Sequence, residues 1–222
     1  MPELTAVVFD MDGTILNTEL LYPRVSQEIL RRRGLELTQE LTNAMMGRPA
    51  PAAFQAMIDW HNLADTIEIL AGESEEIFAD ILEESLGLMP GFTELFKTLL
   101  EAGYPVAICT SARRSTALDL LGRFNITPDL QFVIGGDEVM RGKPDPEIYH
   151  RAAKRLRMQP ETLAVFEDSQ VGCQAAVEAG THAIAVPGDH SRDHSFPGAQ
   201  LIAETLHDPR IYQLLELPRP RA

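Results

Sequence analysis

Ala6-Val7-Val8-Phe9, followed at once by Asp10-Met11-Asp12-Gly13-Thr14, is the most informative part of this 222-residue chain for predicting its fold. Four apolar residues that run directly into an acidic turn predict a buried strand followed by a loop. In open α/β sheets, ligands bind in the loops beyond the carboxyl ends of the strands. Two carboxylates beside a glycine are also common in solvated turns, so this stretch alone is consistent with either a binding site or a surface turn.

Further apolar runs predict a sheet around this first strand. They lie at 106–109, 163–166 and 183–186, with a weaker candidate at 132–135. Continuous apolar strands need cover on both faces, so the pattern favours a parallel α/β sheet flanked by helices. Helical segments at 147–157 and 171–179 alternate with these runs, and Gly180 stands where a glycine commonly ends a helix. The fold class is therefore α/β, with a Rossmann-like core.

The segment from 18 to 88 has a different pattern. It contains amphipathic helical stretches at 20–33, 50–60 and 75–86 and no apolar run typical of a strand. Pro90-Gly91 then interrupts the chain before the next helix-and-strand unit. We therefore predict a core domain formed by residues 1–17 and 89–222, with a small all-α domain, residues 18–88, inserted after the first strand.

Composition restricts the function classes. The chain has 33 acidic and 19 basic residues and a net charge of −14, which opposes binding to nucleic acid. No apolar run approaches the ~20 residues that cross a bilayer, and no basic region precedes the first apolar stretch, as it would in a secretory signal. The two cysteines, Cys109 and Cys173, are too few for a disulfide framework, so we expect a cytoplasmic location.

Polar residues follow the other predicted strands as well. Thr110 and Ser111 come after the strand at 106–109, and Glu167 and Asp168 come after the strand at 163–166. Lys143 lies in a loop whose backbone is shaped by a flanking glycine, which permits tight turns, and by prolines, which fix φ. Acidic pairs that converge from two strand ends form a hard-oxygen site suited to Mg²⁺.

Together these motifs resemble those of the haloacid dehalogenase superfamily of phosphotransferases. The resemblance covers nearly all of the predicted core, and the inserted helices take the place of the family's small cap domain. It implies a Mg²⁺-dependent phosphatase that acts on a small phosphorylated metabolite (a sugar phosphate, phosphoglycolate or a nucleotide-like monophosphate) through an aspartyl phosphate. The four matching motifs are DMDGT at 10–14, the strand that ends in Thr110, Lys143 in GKPDPEIY, and FEDSQVG at 166–172.

The resemblance also implies roles for the acidic residues. Asp10 is expected to be the nucleophile that attacks phosphorus. Asp12 is expected to protonate the leaving alkoxide and then to activate water, and its backbone carbonyl is the usual metal contact in this family. With Asp10 and Asp12, Asp168 is expected to hold Mg²⁺, and Glu167 is expected either to bind the ion directly or to support a ligand.

Five residues are expected to contact substrate. Thr110 and Lys143 resemble the groups that hold the transferring phosphoryl oxygens, and Ser111 stands beside them. In the predicted cap, Glu19 is a further candidate. Arg48 falls in a loop that resembles the family's specificity loop, where it could meet a second anionic group, although an exposed surface arginine explains it equally well.

Two other functions are open. Phosphosugar mutases with a similar core carry a histidine a few residues after the second aspartate, whereas the first histidine here is His61, which favours a hydrolase. A relative that only binds phosphate or protein would usually have lost the nucleophile or a metal carboxylate, and here all four motif positions are filled. Asp12 itself disfavours the dehalogenase and phosphonatase branches, which lack a second aspartate.

Overall fold

The structure of the chain is a computed structural model that describes residues 3–45 and 50–218. The chain separates into two compact units. The sheet unit comprises Met1–Leu16 and Leu88–Ala222, and the helical unit comprises Asn17–Gly87. The chain thus passes between the units one residue before each predicted boundary. Within the described ranges, no helix combines the length and the hydropathy needed to cross a membrane.

The sheet unit contains one parallel sheet of six strands in the order β3-β2-β1-β4-β5-β6. This is the strand order of a Rossmann-like fold, which confirms the predicted fold class. Its direction of winding reverses between β1 and β4, where ligands bind in such sheets. The strands are β1 Ala6–Phe9, β2 Val106–Cys109, β3 Val133–Ile134, β4 Leu163–Glu167, β5 His182–Ala185 and β6 Leu201–Ile202.

The last strand, β6, was not predicted. It has only two residues at one edge of the sheet, and Ile202 is half exposed. Such a short edge strand needs no long apolar run, so its sequence carries little signal. The predicted strand at 183–186 was correct in kind but begins one residue earlier, at His182.

Helices cover both faces of the sheet. They are α5 Phe92–Glu101, α6 Arg114–Gly122, α7 Glu147–Leu156, α8 Gln170–Glu178 and α9 Pro209–Leu214. On one face, alanines of α7 and α8 pack against alternate residues of β1, β2 and β4. On the other face, the ring of Phe9 stacks on Phe166 at 4.7 Å between centroids and meets Phe92 edge-on at 5.5 Å. The central strands are therefore fully buried, and their polar ends are positioned by a rigid core.

Every regular element described in the helical unit is helical. These elements are a short 3-10 helix, Asn17–Leu20, followed by α1 Tyr22–Arg31, α2 Gln39–Met45, α3 Ala50–His61 and α4 Ile67–Ser85. α2 was not predicted from the sequence, and α4 begins eight residues before the helical stretch predicted at 75–86. Both starts are marked by a threonine cap: the hydroxyl oxygen of Thr38 accepts from Leu41 N–H, and that of Thr66 accepts from Ile69 N–H.

Hydrogen bonds of Asn17 join the two ends of the helical unit. Its side-chain carbonyl accepts from Gly87 N–H at 2.8 Å, its amide donates to the Ser85 carbonyl at 3.0 Å, and its own N–H donates to the Gly87 carbonyl. One side chain thus joins the first and last residues of the unit. That this unit acts as a cap over substrate remains a prediction.

Candidate active site

The site lies at the carboxyl ends of β1 and β4, where the winding of the sheet reverses. Phe9 and Phe166 are paired across the two strands, and Asp10 N–H donates to the Phe166 carbonyl at 2.9 Å. This register brings Asp10 beside Glu167, the last residue of β4. Carboxylate oxygens of Asp10, Glu167 and Asp168 all lie within 4.8 Å of one another, and all three residues are buried.

Lys143 binds into this acidic group from the loop before α7. Its ammonium donates to Asp10 Oδ1, to Glu167 Oε1 at 2.6 Å and to the Cys109 carbonyl oxygen at 3.2 Å. An ammonium has three N–H donors, and these three acceptors use all of them. Burial by itself lowers the pKa of Lys143, but the charges of Asp10 and Glu167 outweigh it and raise the pKa above its ordinary value. Lys143 is therefore a fixed positive charge.

The electrostatics of the acidic group fit a divalent cation. Burial raises the pKa of Asp10 well above its ordinary value, and Lys143 acts against that rise. Burial also raises the pKa of Asp168. When ionised, the carboxylates of Asp10, Glu167 and Asp168 carry three negative charges against the one positive charge of Lys143, an excess of two. A hard divalent cation with oxygen ligands would balance that excess.

Both carboxylate oxygens of Glu167 accept hydrogen bonds from hydroxyl groups of the protein. The Tyr149 hydroxyl donates to Glu167 Oε1 at 2.5 Å, and the Ser169 hydroxyl donates to Oε2 at 3.1 Å. A side chain at Gly172 would place its Cβ 2.0 Å from the Glu167 carboxylate, so the first turn of α8 can approach this group only with a glycine there. Burial raises the pKa of Tyr149 well above its usual value, so its hydroxyl is a donor. Tyr149 and Ser169 were missed as site residues, although both stand within the quoted motifs.

Asp168 has a partner, His190, that was not predicted from the sequence. His190 Nε2 lies 2.6 Å from Asp168 Oδ2. His190 belongs to a short 3-10 helix, Asp189–Ser191, that follows β5. Because β5 neighbours β4, the loop after it reaches the same edge of the sheet. Only the strand order reveals this contact, since 21 residues separate the two side chains in the sequence.

Thr110, directly after β2, forms a hydrogen bond with Asp12 of the DMDGT motif. Its hydroxyl donates to Asp12 Oδ2 at 3.2 Å and accepts from Ala112 N–H at 3.0 Å. Thr110 is fully buried, whereas the neighbouring Ser111 is exposed. The structure thus brings Thr110 to the acidic loop as a partner of Asp12. Contacts of Thr110 and Ser111 with a phosphoryl group remain predictions.

The two candidates from the predicted cap, Glu19 and Arg48, belong to the helical segment of the chain and not to the sheet unit. Glu19 lies half-buried in the 3-10 helix of the helical unit. Arg48 lies outside the residues that the structure describes. The role of each in binding substrate remains a prediction from the sequence.

Comparison with known proteins places this site in a family. The family model described as haloacid dehalogenase-like hydrolase matches residues 7–186, a span that includes all four motifs. The chain belongs to this family. Its buried carboxylates fit the divalent metal that haloacid dehalogenase-like enzymes generally use.

Individual relatives agree with this family assignment. A phosphorylated carbohydrates phosphatase of Thermotoga maritima is 32% identical over 82% of this chain and 84% of its own length. A fructose-1-phosphate phosphatase of Escherichia coli is 31% identical over 81% of this chain and 95% of its own. The crystal structure of a family hydrolase from Deinococcus radiodurans, with bound phosphate and sodium, matches with a TM-score of 0.81 at 25% identity over 98% of this chain and 99% of that one. The chain is therefore similar to small-molecule phosphatases over most of its length.

Proposed function

We propose that the chain is a Mg²⁺-dependent phosphatase that hydrolyses a small phosphorylated metabolite through a phosphorylated Asp10. The observation that carries this proposal is the contact between the Lys143 ammonium and Asp10 Oδ1 in a buried acidic site. A carboxylate attacks an anionic phosphate only when their repulsion is cancelled, and a fixed ammonium beside the nucleophile does part of this. The phosphatases among the relatives support the same reaction class.

Asp10 and Asp168 are the side chains that would hold Mg²⁺, together with the backbone carbonyl of Asp12. The ion would neutralise negative charge on the phosphoryl oxygens. Glu167 differs from these ligands because both of its oxygens already accept hydrogen bonds from protein donors. We therefore assign Glu167 a supporting role.

The proposed reaction has two steps that the chain's own residues carry. In the first, an Asp10 oxygen forms a bond to phosphorus while the ester bond breaks, and Asp12 gives its proton to the leaving alkoxide. In the second, Asp12 takes a proton from water, which attacks phosphorus and releases phosphate and the free Asp10 carboxylate. The hydrogen bond from Thr110 orients Asp12 for both transfers, and Lys143 stays charged throughout.

Phosphate release from p-nitrophenyl phosphate tests the proposal. The purified chain should hydrolyse this ester with Mg²⁺ and lose activity in excess chelator. A panel of sugar phosphates, phosphoglycolate and nucleotide monophosphates should then identify the substrate class. Absence of hydrolysis on every substrate with Mg²⁺ present would refute the proposal. Conversion of a phosphosugar into its isomer without equivalent release of phosphate would identify a mutase instead.

The helical unit is proposed to select the organic part of the substrate, through Glu19 and Arg48. A cytoplasmic location is part of the same proposal. It is supported by two cysteines, Cys109 and Cys173, that are buried and free and so need no oxidising compartment.

A further inference from the structure

We infer that Tyr149 is a positioning residue of the proposed phosphatase: through Glu167, its hydroxyl holds the Lys143 ammonium against the nucleophile Asp10. The inference rests on the proposed function. It adds to that reaction a residue that touches neither the substrate nor Asp10 through a hydrogen bond, and it gives Glu167 a defined task.

The start of α7 fixes both Lys143 and Tyr149. The Glu147 carboxylate, in the first turn of this helix, accepts from the N–H groups of Met140 and Arg141 at 3.1 Å, so the loop that carries Lys143 is bound to the helix. Tyr149 lies two residues further along α7, fully buried, with its N–H donating to the Pro146 carbonyl. The lysine and the tyrosine thus enter the site from one rigid element.

The two side chains meet on a single oxygen atom. Glu167 Oε1 accepts both from the Tyr149 hydroxyl, at 2.5 Å, and from the Lys143 ammonium, at 2.6 Å. Glu167 Oε2 accepts from Ser169, which prevents the carboxylate from turning. The ammonium also lies 5.4 Å from the centroid of the Tyr149 ring, within the range of a cation–π interaction. Tyr149 therefore sets the direction in which Glu167 presents its charge to Lys143.

The proposed reaction requires that the Lys143 ammonium keep a fixed position. A lysine ammonium is a point charge on a flexible stem, so its position depends on fixed acceptors. While the Asp10–phosphorus bond forms, charge moves from the Asp10 carboxylate towards the phosphoryl and leaving oxygens, and the ammonium must stay in place. If the Tyr149 hydroxyl is removed, Glu167 keeps its charge but loses one of its fixed donors. Removal of the hydroxyl should therefore destabilise the transition state more than it weakens substrate binding, so that kcat falls while KM changes little.

Tyr149→Phe tests the inference, and Tyr212→Phe is the matched control. Tyr212 is also fully buried in the sheet unit, on α9, but its hydroxyl has no hydrogen-bond partner among the described residues. With p-nitrophenyl phosphate and Mg²⁺, Tyr149→Phe should lower kcat by about tenfold, equivalent to about 1.4 kcal/mol. Its KM and the Mg²⁺ concentration for half-maximal activity should change little. Tyr212→Phe should leave all three quantities close to wild type.

Three outcomes would overturn the inference. They are an unchanged kcat in Tyr149→Phe, an equal fall in Tyr212→Phe, and a raised Mg²⁺ requirement in Tyr149→Phe, which would place Glu167 on the metal. Thermal unfolding of both variants checks that each is folded under the assay conditions. An inactive wild-type chain would refute the proposed function itself, so the two failures are distinguishable.

Discussion

A basic side chain lies between two carboxylates in each unit of the chain, but the two arrangements differ in kind. In the helical unit, Arg33 donates to both oxygens of Asp65, at 3.0 and 2.8 Å, and to Glu73 at 2.7 Å. All three side chains keep contact with solvent. A planar guanidinium suits such a fork, and the group joins the turn after α1 to α4 and to the loop that precedes α4.

In the sheet unit, Lys143 makes the comparable contacts with Asp10 and Glu167, but the three side chains are almost fully buried, at 5%, 9% and 0% exposed. The pKa values of Asp65 and Asp10 are shifted in opposite directions. Hydrogen bonds from Arg33 lower the pKa of Asp65, whereas burial raises the pKa of Asp10. An acid with a lowered pKa stabilises the folded chain at neutral pH, and one with a raised pKa does the reverse. The same charge pattern therefore stabilises the fold in one unit and holds the proposed nucleophile in the other.

Among the proposed variants, Asp10→Asn should have the largest effect on activity. It removes the attacking carboxylate while keeping its shape, so hydrolysis should fall by about 10³-fold or more. It also removes a buried acid with a raised pKa, so the midpoint of thermal unfolding should stay the same or rise. Kinetics and thermal unfolding of one preparation measure both effects. Comparable turnover in that variant would exclude Asp10 as the nucleophile.

Asp12→Asn should separate the two chemical steps. Loss of the general acid should lower the hydrolysis of alkyl phosphates by about 10²–10⁴-fold. p-Nitrophenyl phosphate should be affected much less in the bond-breaking step, because its leaving group needs little protonation. Burst kinetics with this ester would show whether the second step has become limiting. Equal losses in the first step for both kinds of ester would contradict the role of Asp12 as the acid.

Asp168→Ala should raise the Mg²⁺ requirement by at least about tenfold, because a protein ligand is lost. Calorimetric titration with Mg²⁺ measures this without relying on turnover. In the wild type, Ca²⁺ should replace Mg²⁺ poorly, since its coordination is larger and looser. His190→Ala, which removes only the partner of Asp168, should weaken Mg²⁺ binding by less. Unchanged binding in Asp168→Ala would remove this residue from the metal site.

Arg33→Ala should do the opposite of Asp10→Asn. It should lower the free energy of unfolding by about 1 kcal/mol, because Asp65 and Glu73 lose a shared partner, while p-nitrophenyl phosphate hydrolysis stays close to wild type. Asp65 stabilises the chain above its unfolded pKa of about 3.9 and loses this effect as the pH falls through its lower folded value. The difference in urea unfolding between variant and wild type should therefore be full at pH 7 and shrink below about pH 4.

Arg31→Ala is the matched control for Arg33→Ala. Arg31 pairs with Glu28 on the surface of α1, with 68% of its side chain exposed, and exposed pairs contribute little to stability. Equal destabilisation in both variants would show that the partly buried fork at Arg33 stabilises the chain no more than an exposed ion pair does.

Arg48→Ala should have the smallest effect. We expect it to change the order of preference among substrates, most for those with a second anionic group, and to leave p-nitrophenyl phosphate hydrolysis nearly intact. Measurement of kcat/KM for each substrate of the panel, in the variant and in the wild type, tests this. The same factor on every substrate, or no change on any, would contradict a role in specificity.

The central fold could be predicted from the sequence because its strands are continuous apolar runs that end at polar residues. β1 and β2 were predicted residue for residue, since Ala6–Phe9 and Val106–Cys109 stop at Asp10 and Thr110. The edge strand β6 could not be predicted, because two half-covered residues leave no periodic pattern. The helix α2 is short and its apolar pattern is weak, although Thr38 marks its start.

The residues at the ends of the central strands could be predicted from the sequence, since a strand's apolar run and its polar terminus are local properties of the chain. Which side chains of the site contact one another depends on the fold. Tyr149 and Lys143 converge on one oxygen of Glu167 because parallel strands and the start of α7 bring distant segments together. His190 reaches Asp168 because β5 lies beside β4. Burial decided the rest: the raised pKa of Asp10 and the lowered pKa of Asp65 depend on how much solvent and which partners surround each carboxylate, and neither can be read from neighbours in the chain.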